Sequence, residues 1–326
     1  MHPFAYHSAT TVPEAVRAAV RGARYIAGGT TLVDLMRETV ERPDEVVDIT
    51  ALPLKEIRPA KDGALHIGAL VTMAEAATHP AVRGRYPVVS QALEASASAQ
   101  LRNMATIGGN LLQRTRCFYF RDVSAACNKR QPGSGCAALG GYNRMHAILG
   151  VSDSCVATHP SDVAVAFVAL GAVVQLRGRD GERRLPLAEL LLKPGSTPHR
   201  EHALKEGELI TGIEIPAHTR SLASGYLKVR DRQSYEFALT SAAVALHLTG
   251  GRITTARVAA GGVGTVPWRL EAVEEALVGQ RPRPGLWSEA ARHATRGARP
   301  LQHNRFKLPL LTRTVERQLT EIGGTL

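Results

Sequence analysis

Between Asn110 and Asp162 the periodic alternation of apolar and polar residues stops for about 50 residues, far longer than an ordinary connection. All four cysteines of the chain fall inside that gap. A compact chain with such a stretch must build its periodic elements around it and give the stretch something to fold on. Cys117, Cys127, Cys136 and Cys155 are separated by 9, 8 and 18 residues. Zinc ribbons and knuckles bring their ligands in pairs two to four residues apart, a pattern missing here. A disulfide needs an oxidising compartment, and the start Met1-His2-Pro3-Phe4-Ala5-Tyr6 has neither a basic region followed by an apolar one nor a twin-arginine pair, so no export signal is expected on this chain. Four thiolates on a loop with Gly133, Gly135, Gly140 and Gly141 for close approach suit a 4Fe-4S cubane, which takes four cysteine ligands. Zinc, a disulfide or free thiols stay open as alternatives. A cubane with four thiolates is anionic, so Arg116, Arg121, Lys129, Arg130 and Arg144 are expected around it.

Two short glycine motifs flank this region on its N-terminal side. Tyr25-Ile26-Ala27-Gly28-Gly29-Thr30-Thr31-Leu32 is an apolar strand running into two glycines and two hydroxyls at the start of a helix. Glycines let the backbone approach an anion, the helix dipole attracts it, and the threonines donate hydrogen bonds. The competing reading is an ordinary glycine turn capped by threonine. Thr106-Ile107-Gly108-Gly109-Asn110 repeats the pattern about 75 residues downstream. Two such turns suit a pyrophosphate bridging two subdomains, and neither is the GxGxxG fingerprint. Ser161-Asp162, just ahead of an apolar helix, reads first as an N-cap.

Around these motifs the pattern is α+β. Helices are expected at Pro13 to Gly22, Thr31 to Val40 and Pro87 to Gln100, and strands at Arg24 to Ala27, Glu45 to Ile49, Ala64 to Leu70 and Leu209 to Ile215. Thr72-Met73-Ala74-Glu75 has the form of a capping box, and Pro194 to Glu208 reads as a linker. Breaks at Pro53 and Pro216 give three modules, 1–53, 54–215 and 216–326, with the cysteine loop at about 112–160. The last module is expected to run through strands Gly225 to Arg230, Ala242 to Leu248 and Thr254 to Ala260, then helices Arg269 to Leu277, Ser288 to Arg296 and Leu308 to Thr320.

Composition narrows the function classes. With 44% hydrophobic and 21% charged residues the chain folds, and no apolar run reaches the roughly 18 residues of a membrane span. The net charge of +11 is concentrated: Gln100 to Met145 carries seven Lys and Arg against Asp122 alone. Because that segment also holds three cysteines and the second glycine motif, its charge fits bound anionic groups better than a nucleic acid. The aromatic–basic run Arg116-Cys117-Phe118-Tyr119-Phe120-Arg121 lacks the pattern of RNA-binding modules. No HExxH, HxH or Gly-x-Ser-x-Gly occurs. A cofactor-free, zinc-stabilised protein with a basic docking surface is the reading from a different class.

Ala27-Gly28-Gly29-Thr30, Thr106-Ile107-Gly108-Gly109-Asn110 and Ser161-Asp162, in this order and spacing, resemble the FAD-binding medium subunits of the xanthine dehydrogenase and carbon monoxide dehydrogenase family. The motifs around the cysteines, including Arg114-Thr115-Arg116-Cys117, Cys127-Asn128-Lys129-Arg130, Gly133-Ser134-Gly135-Cys136 and Ala157-Thr158-His159-Pro160, together with Lys228-Val229-Arg230-Asp231-Arg232, resemble the subset that carries a cysteine loop, as in periplasmic aldehyde oxidoreductases and the β subunit of 4-hydroxybenzoyl-CoA reductase. The resemblance covers nearly the whole chain. It implies a two-part FAD-binding module of the vanillyl-alcohol-oxidase (PCMH) type and a C-terminal domain of the carbon monoxide dehydrogenase flavoprotein type. By position, it implies that Arg24, Tyr25, Ile26, Ala27, Gly28, Gly29, Thr30, Thr31 and Leu32, with Thr106, Gly109 and Asn110, hold the FAD diphosphate. Asp162 and Lys228 would lie nearer the ribityl chain and isoalloxazine, and Cys117, Cys127, Cys136 and Cys155 would ligate a 4Fe-4S cluster. No side chain need act as an acid–base catalyst. The expected partners are a large subunit with a molybdenum cofactor, a small subunit with 2Fe-2S clusters and an external electron acceptor, with no nucleic acid. Export to the periplasm would rest on a partner's signal, with cytoplasmic residence as the alternative. Electron input in a 4-hydroxybenzoyl-CoA-reductase-like enzyme is the alternative direction.

Overall fold

A computed structural model describes residues 1–19, 22–217 and 222–324. Val20 and Arg21, at the end of the expected first helix, lie outside the described residues. The chain opens with β1 (Ala5–Ser8), α1 (Val12–Ala19), β2 (Arg24–Ile26), α2 (Leu32–Arg37) and β3 (Glu45–Asp48). The three strands form a parallel sheet in the order β1-β3-β2, so β2, α2 and β3 are the βαβ unit the sequence suggests. β1 was not expected from the sequence, being short and mostly exposed. Ala15, Val16, Val47 and Ile49 pack between α1 and the sheet as the core of this unit.

The middle of the chain contributes β4 (Ile57–Pro59), β5 (Leu65–Gly68), α3 (Met73–Thr78), α4 (Pro80–Arg85), α5 (Pro87–Glu94), α6 (Ala99–Met104) and α7 (Ile107–Leu111). It continues through α8 (Phe118–Arg121), α9 (Ala137–Gly140), α10 (Asp162–Ala169), β6 (Val173–Gly178), β7 (Gly181–Pro186), α11 (Leu187–Leu190) and β8 (Leu209–Ile215). The strands make an antiparallel sheet in the order β4-β5-β8-β6-β7. The capping box at α3 is complete: the Glu75 N–H donates to Thr72 Oγ1 at 3.2 Å, and the Thr72 N–H donates to Glu75 Oε2 at 2.9 Å.

Two sequence expectations change here. The single helix Pro87 to Gln100 is divided, because Ser96 turns its hydroxyl back to the Ala92 carbonyl and Ala97 takes a left-handed φ of 48°, after which Ser98 caps α6. The apolar helix expected after Ser161-Asp162 ends at Ala169, and the apolar residues that follow it enter a strand. α10 is buried on every side, as a uniformly apolar helix must be, and Gly171 at φ 69° turns the chain into β6. The long aperiodic segment holds only the single turns α8 and α9, and Pro194 to Glu208 has no helix or strand.

The remainder forms β9 (Ala223–Val229), β10 (Thr240–Thr249), β11 (Arg252–Gly261), β12 (Trp268–Arg269), α12 (Glu271–Leu277), α13 (Leu286–Ala291), a 3-10 turn (Arg292–Thr295) and α14 (Lys307–Gly323). Its sheet is antiparallel in the order β12-β11-β10-β9. The two-residue period of β10 directs Ala243 and Ala245 towards the core that contains α5 and α10, and Ala242, Val244 and Leu246 towards the core under α14. Alanines on the first face let α10 approach closely, and α10 thereby joins this sheet to the middle of the molecule. No helix among the described residues is long and apolar enough to cross a membrane.

Candidate functional site

A cavity of about 970 Å3 opens where the three sheets meet. Its wall includes β2 and the turn into α2, the start of α7, the N-terminus of α10, β9, the segment 199–208 and the start of β8. The structure brings together on this one wall Arg24, Tyr25, Ile26, Ala27, Gly28, Gly29, Thr30, Thr31, Leu32, Thr106, Gly109, Asn110, Asp162 and Lys228. That volume is at the upper end of the range of small-molecule sites.

Each part of the wall has a local cause. Gly28 is required by packing, since a Cβ there would lie 1.8 Å from the Met104 carbonyl oxygen at the end of α6. Gly29 adopts φ 70°, the left-handed geometry that lets the chain turn from β2 into α2. Thr31 is the N-cap of α2 but makes no side-chain cap hydrogen bond, so the ordinary threonine-capped turn is not formed. The Val33 N–H is taken by the Gly29 carbonyl at 3.0 Å, and residues 28–34 of this turn line the cavity. In the second motif Thr106 does cap: its hydroxyl accepts the Gly109 N–H at 3.3 Å. Asn110 is turned to Ser161, which itself caps α10 by accepting the Ala164 N–H at 3.1 Å. Tyr25 points away from solvent and donates to the Gly207 carbonyl at 2.8 Å, and burial pushes its phenol pKa up.

Asp162 and Lys228 form a buried ion pair at 2.8 Å, with side chains 7% and 3% exposed. The carboxylate also accepts from Tyr226 at 2.7 Å and from Ser96 at 3.1 Å, while Lys228 donates to the Ala95 carbonyl at 3.1 Å. Arg230 reaches the same carbonyl at 2.9 Å, so two cations meet the C-terminal end of α5, where the helix dipole favours them. Burial first, and then the Asp162 charge, hold the Tyr226 phenol far above its ordinary pKa, so it stays a donor. Tyr226 and Ser96 gave no signal in the sequence.

The four cysteines stand apart from this wall. All are free, and all line one small cavity of about 10 Å3 beside Thr115, Lys129 and Ala157. Backbone pairing brings Cys127 opposite Cys136, and Cys155 opposite Ser152. Among the described residues no three His, Cys, Asp or Glu side chains converge as the ligands of one metal ion. A cubane bonds each thiolate to a different iron, which sets its ligands wider apart than those of one ion, so four thiols around one cavity fit that donor set. Burial pushes the Cys117 thiol up to about 12 and raises that of Cys155 against the pull of Lys129, so without metal these thiols keep their protons.

The positive charge of the loop is placed differently from expectation. Arg116 and Arg121 both reach Asp34 of α2, and Arg121 also reaches Glu38 at 2.7 Å. Arg130 donates to the carbonyls of Tyr119 and Phe120 at 2.8 and 2.7 Å, and Arg144 is bidentate on Asp231 at 2.6 and 2.9 Å. Lys129 pairs with Glu201 at 2.7 Å. Arg114 pairs with Glu201 at 3.0 Å and with Glu41, and its guanidinium lies over the Phe120 ring. Burial disfavours the Glu201 charge, but Lys129 and Arg114 outweigh it and hold its pKa down. Arg130 ties the loop to itself, and the other cations fasten it to the rest of the chain instead of forming a free positive surface.

The same contacts join the two cavities. Leu35 of α2 packs with Phe120 and Cys127. Between the cavities a narrow space is bounded by Gln113 and Glu201, which also line the large cavity, and by Thr115, Lys129 and Ala157, which also line the cysteine cavity. Residues 199–208, which the sequence offers only as a linker, therefore form a wall of the site.

Residues 2–218 match the FAD binding domain in molybdopterin dehydrogenase, and residues 225–321 match the CO dehydrogenase flavoprotein C-terminal domain. The chain is 46% identical over 326 residues, 98% of each chain, to the aldehyde oxidoreductase FAD-binding subunit PaoB of Escherichia coli K12. It is 25% identical over 283 residues to the carbon monoxide dehydrogenase medium chain of Hydrogenophaga pseudoflava, covering 85% of this chain and 80% of that one. Its fold is similar to that of a chain in reconstituted CO dehydrogenase from Oligotropha carboxidovorans, with a TM-score of 0.79, 21% identity, and 100% and 99% of the two chains covered. These matches show the fold class read from the sequence, an α+β FAD-binding module followed by a flavoprotein C-terminal domain.

Proposed function

The chain belongs to the FAD-binding medium subunits of the xanthine dehydrogenase and carbon monoxide dehydrogenase family, and on that premise we propose that it is the electron-transfer subunit of a molybdenum-dependent aldehyde oxidoreductase, carrying FAD and a 4Fe-4S cluster. The observation that carries this reading is the pair of adjoining cavities, one lined by both glycine turns and the other by four free thiols. FAD supplies redox chemistry that accepts and releases electrons, and the protein positions and tunes it. The turn 28–32 would hold its diphosphate through backbone N–H groups and the hydroxyls of Thr30 and Thr31, with the start of α7, whose own N–H groups are taken by Val71, Ala69 and Thr106, as the facing wall. The Asp162–Lys228 pair, fixed by Tyr226 and Ser96, places a bound and neutralised charge in the wall nearer the flavin ring. Cys117, Cys127, Cys136 and Cys155 hold the cluster.

The partners are a large subunit with the molybdenum cofactor and a small subunit with 2Fe-2S clusters, from which electrons arrive, and an external acceptor to which they leave. Aldehyde oxidation, not electron input, is the direction favoured by 46% identity to an aldehyde oxidoreductase subunit. The residence of the complex is periplasmic, reached through a partner's signal. In the protein the three modules are 1–53, 54–215 and 216–326.

The test is a visible absorption spectrum with iron and acid-labile sulfide analysis on anaerobically purified protein, before and after Cys136→Ser. Flavin bands with four irons per chain, the irons lost in the variant and the flavin kept, are the expected result. A flavoprotein without iron would remove the cluster, and a colourless protein holding zinc would remove both redox groups.

A further inference from the structure

His146 lies in the cysteine loop but is not a cysteine neighbour in sequence, and nothing in its surroundings there marks it. In the fold it is 2% exposed, and its Nε2 lies 3.1 Å from the sulfur of Cys117. Its other ring nitrogen, Nδ1, is buried without a hydrogen-bond partner among the described residues, so the ring is not oriented by a second hydrogen bond of its own. It is oriented from outside. Phe118 and Tyr119 pack against it with ring centroids 6.0 and 6.1 Å away. Its backbone is clamped by α14 and the residues just before it: Asn304 Nδ2 donates to the His146 and Ala147 carbonyls at 3.2 Å each, and Lys307 Nζ donates to the His146 carbonyl at 3.0 Å and the Met145 carbonyl at 3.2 Å. Asn143 Oδ1 accepts the His303 N–H at 3.0 Å and closes the same clamp from the loop side. Lys307 is wholly buried and meets no carboxylate among the described residues; its third donation goes to the Gly262 carbonyl at 2.6 Å.

A thiol can donate its own proton to an imidazole nitrogen, whereas a thiolate bound to iron has none to give. With Cys117 as a ligand, the 3.1 Å contact persists only in the tautomer whose Nε2 carries hydrogen and donates to sulfur. We propose that His146 is a positioning residue of the four-cysteine site, whose Nε2–H donates to the Cys117 sulfur and is held on it by Asn304 and Lys307, so that the last helix of the C-terminal domain sets the cluster's reduction potential. The inference rests on the 4Fe-4S reading above. A hydrogen bond to a ligand sulfur withdraws charge from it and favours the reduced, more negative cluster, so this contact raises the potential.

The test uses the full-length chain, purified anaerobically, with cluster and flavin potentials followed separately by EPR and optical redox titration. Iron analysis of the wild-type chain comes first: fewer than four irons per chain would end the 4Fe-4S reading itself and this proposal with it. With four irons present, His146→Phe is expected to move the cluster midpoint to more negative potential, leaving the flavin midpoint unchanged. His146→Gln, whose amide can donate in place of Nε2–H, is expected to return it towards the wild-type value. A His146→Phe cluster titrating at the wild-type midpoint would overturn the inference while leaving the cluster reading intact. Should the Phe variant not retain iron, the wild-type protein labelled with 15N-histidine decides. A weak 15N coupling to the reduced cluster, lost in His146→Gln, is expected, and its absence from the wild type overturns the proposal.

Discussion

Replacing Gly28 by alanine adds a single methyl group at a φ that alanine tolerates, so any effect must come from space. The new Cβ would lie 1.8 Å from the Met104 carbonyl oxygen and 2.5 Å from its carbon, where 3.0 Å is the closest that real Cβ atoms come. Neither atom is the end of a side chain that can swing aside; both are backbone at the C-terminal end of α6. The turn into α2 and the end of α6 must therefore separate by about 1.2 Å. Overpacking costs about 1–3 kcal/mol and occasionally more, and a backbone clash this short belongs at the upper end, about 3 kcal/mol. The cost divides between the fold, if the turn stays, and flavin affinity, if the turn moves. Since 1.36 kcal/mol is one decade, the two losses together amount to a factor of about 100 or more. Denaturant unfolding of the apoprotein and titration with FAD by flavin fluorescence measure the two parts. A Gly28→Ala protein whose combined loss stayed below about 1 kcal/mol would refute the reasoning. Gly109→Ala is the contrast: its Cβ would meet only the Thr106 hydroxyl, at 3.0 Å, so the apoprotein is expected to keep its stability within about 1 kcal/mol while losing flavin if the diphosphate lies on that turn.

Asp162→Asn leaves the buried Lys228 facing only neutral acceptors, the Ala95 carbonyl and the new amide oxygen, and is expected to lower the unfolding free energy by about 3–5 kcal/mol, with Asp162→Asn/Lys228→Met recovering part of it in the same denaturation assay. Lys307 has its pKa lowered to about 7 by burial, with Arg144 adding to it, whereas in the unfolded chain it titrates near 10.4. Between those values the unfolded chain binds the extra proton, so this group makes stability rise as pH rises from about 7 towards 10. Unfolding curves of the wild type and Lys307→Met across that window are expected to diverge accordingly, and parallel curves would show that the buried amine keeps an ordinary affinity for its proton.

What the sequence reveals follows from the range of the forces involved. The capping box at Thr72 and Glu75, the βαβ opening and both glycine turns are local, and they appear where the residues place them. Gly28 is legible as a glycine that must be one, though not for the reason the sequence suggests: its constraint is Met104, far along the chain. The break at Ala97 is hidden because an alanine gives no local sign of a left-handed φ, and Ser96, folded back on the Ala92 carbonyl, also reaches Asp162, 66 residues away. The strand β6 is hidden because its apolar residues continue those of α10 without a polar gap, leaving only Gly171 to mark the change. Residues 199–208 have no periodicity, since they form no strand and line a cavity by lying across it, with Glu201 pairing with Arg114 and Lys129. The arginines of the cysteine loop are visible as charge, but their partners Asp34, Glu38 and Asp231 are separated from them by about 80 residues or more, and a sequence does not print such pairings.

Asp34 holding Arg116 and Arg121 turns the intervening chain into a ring fastened by a clasp, with its ends 82 and 87 residues apart. The entropy of closing such a ring grows only with the logarithm of its length, so doubling it would add about 0.6 kcal/mol. Segments inserted into the ring's exposed turns, such as the one between β4 and β5, would barely weaken the clasp. Relatives can therefore lengthen that arc while the start of α2 and the cysteine loop stay fastened to each other.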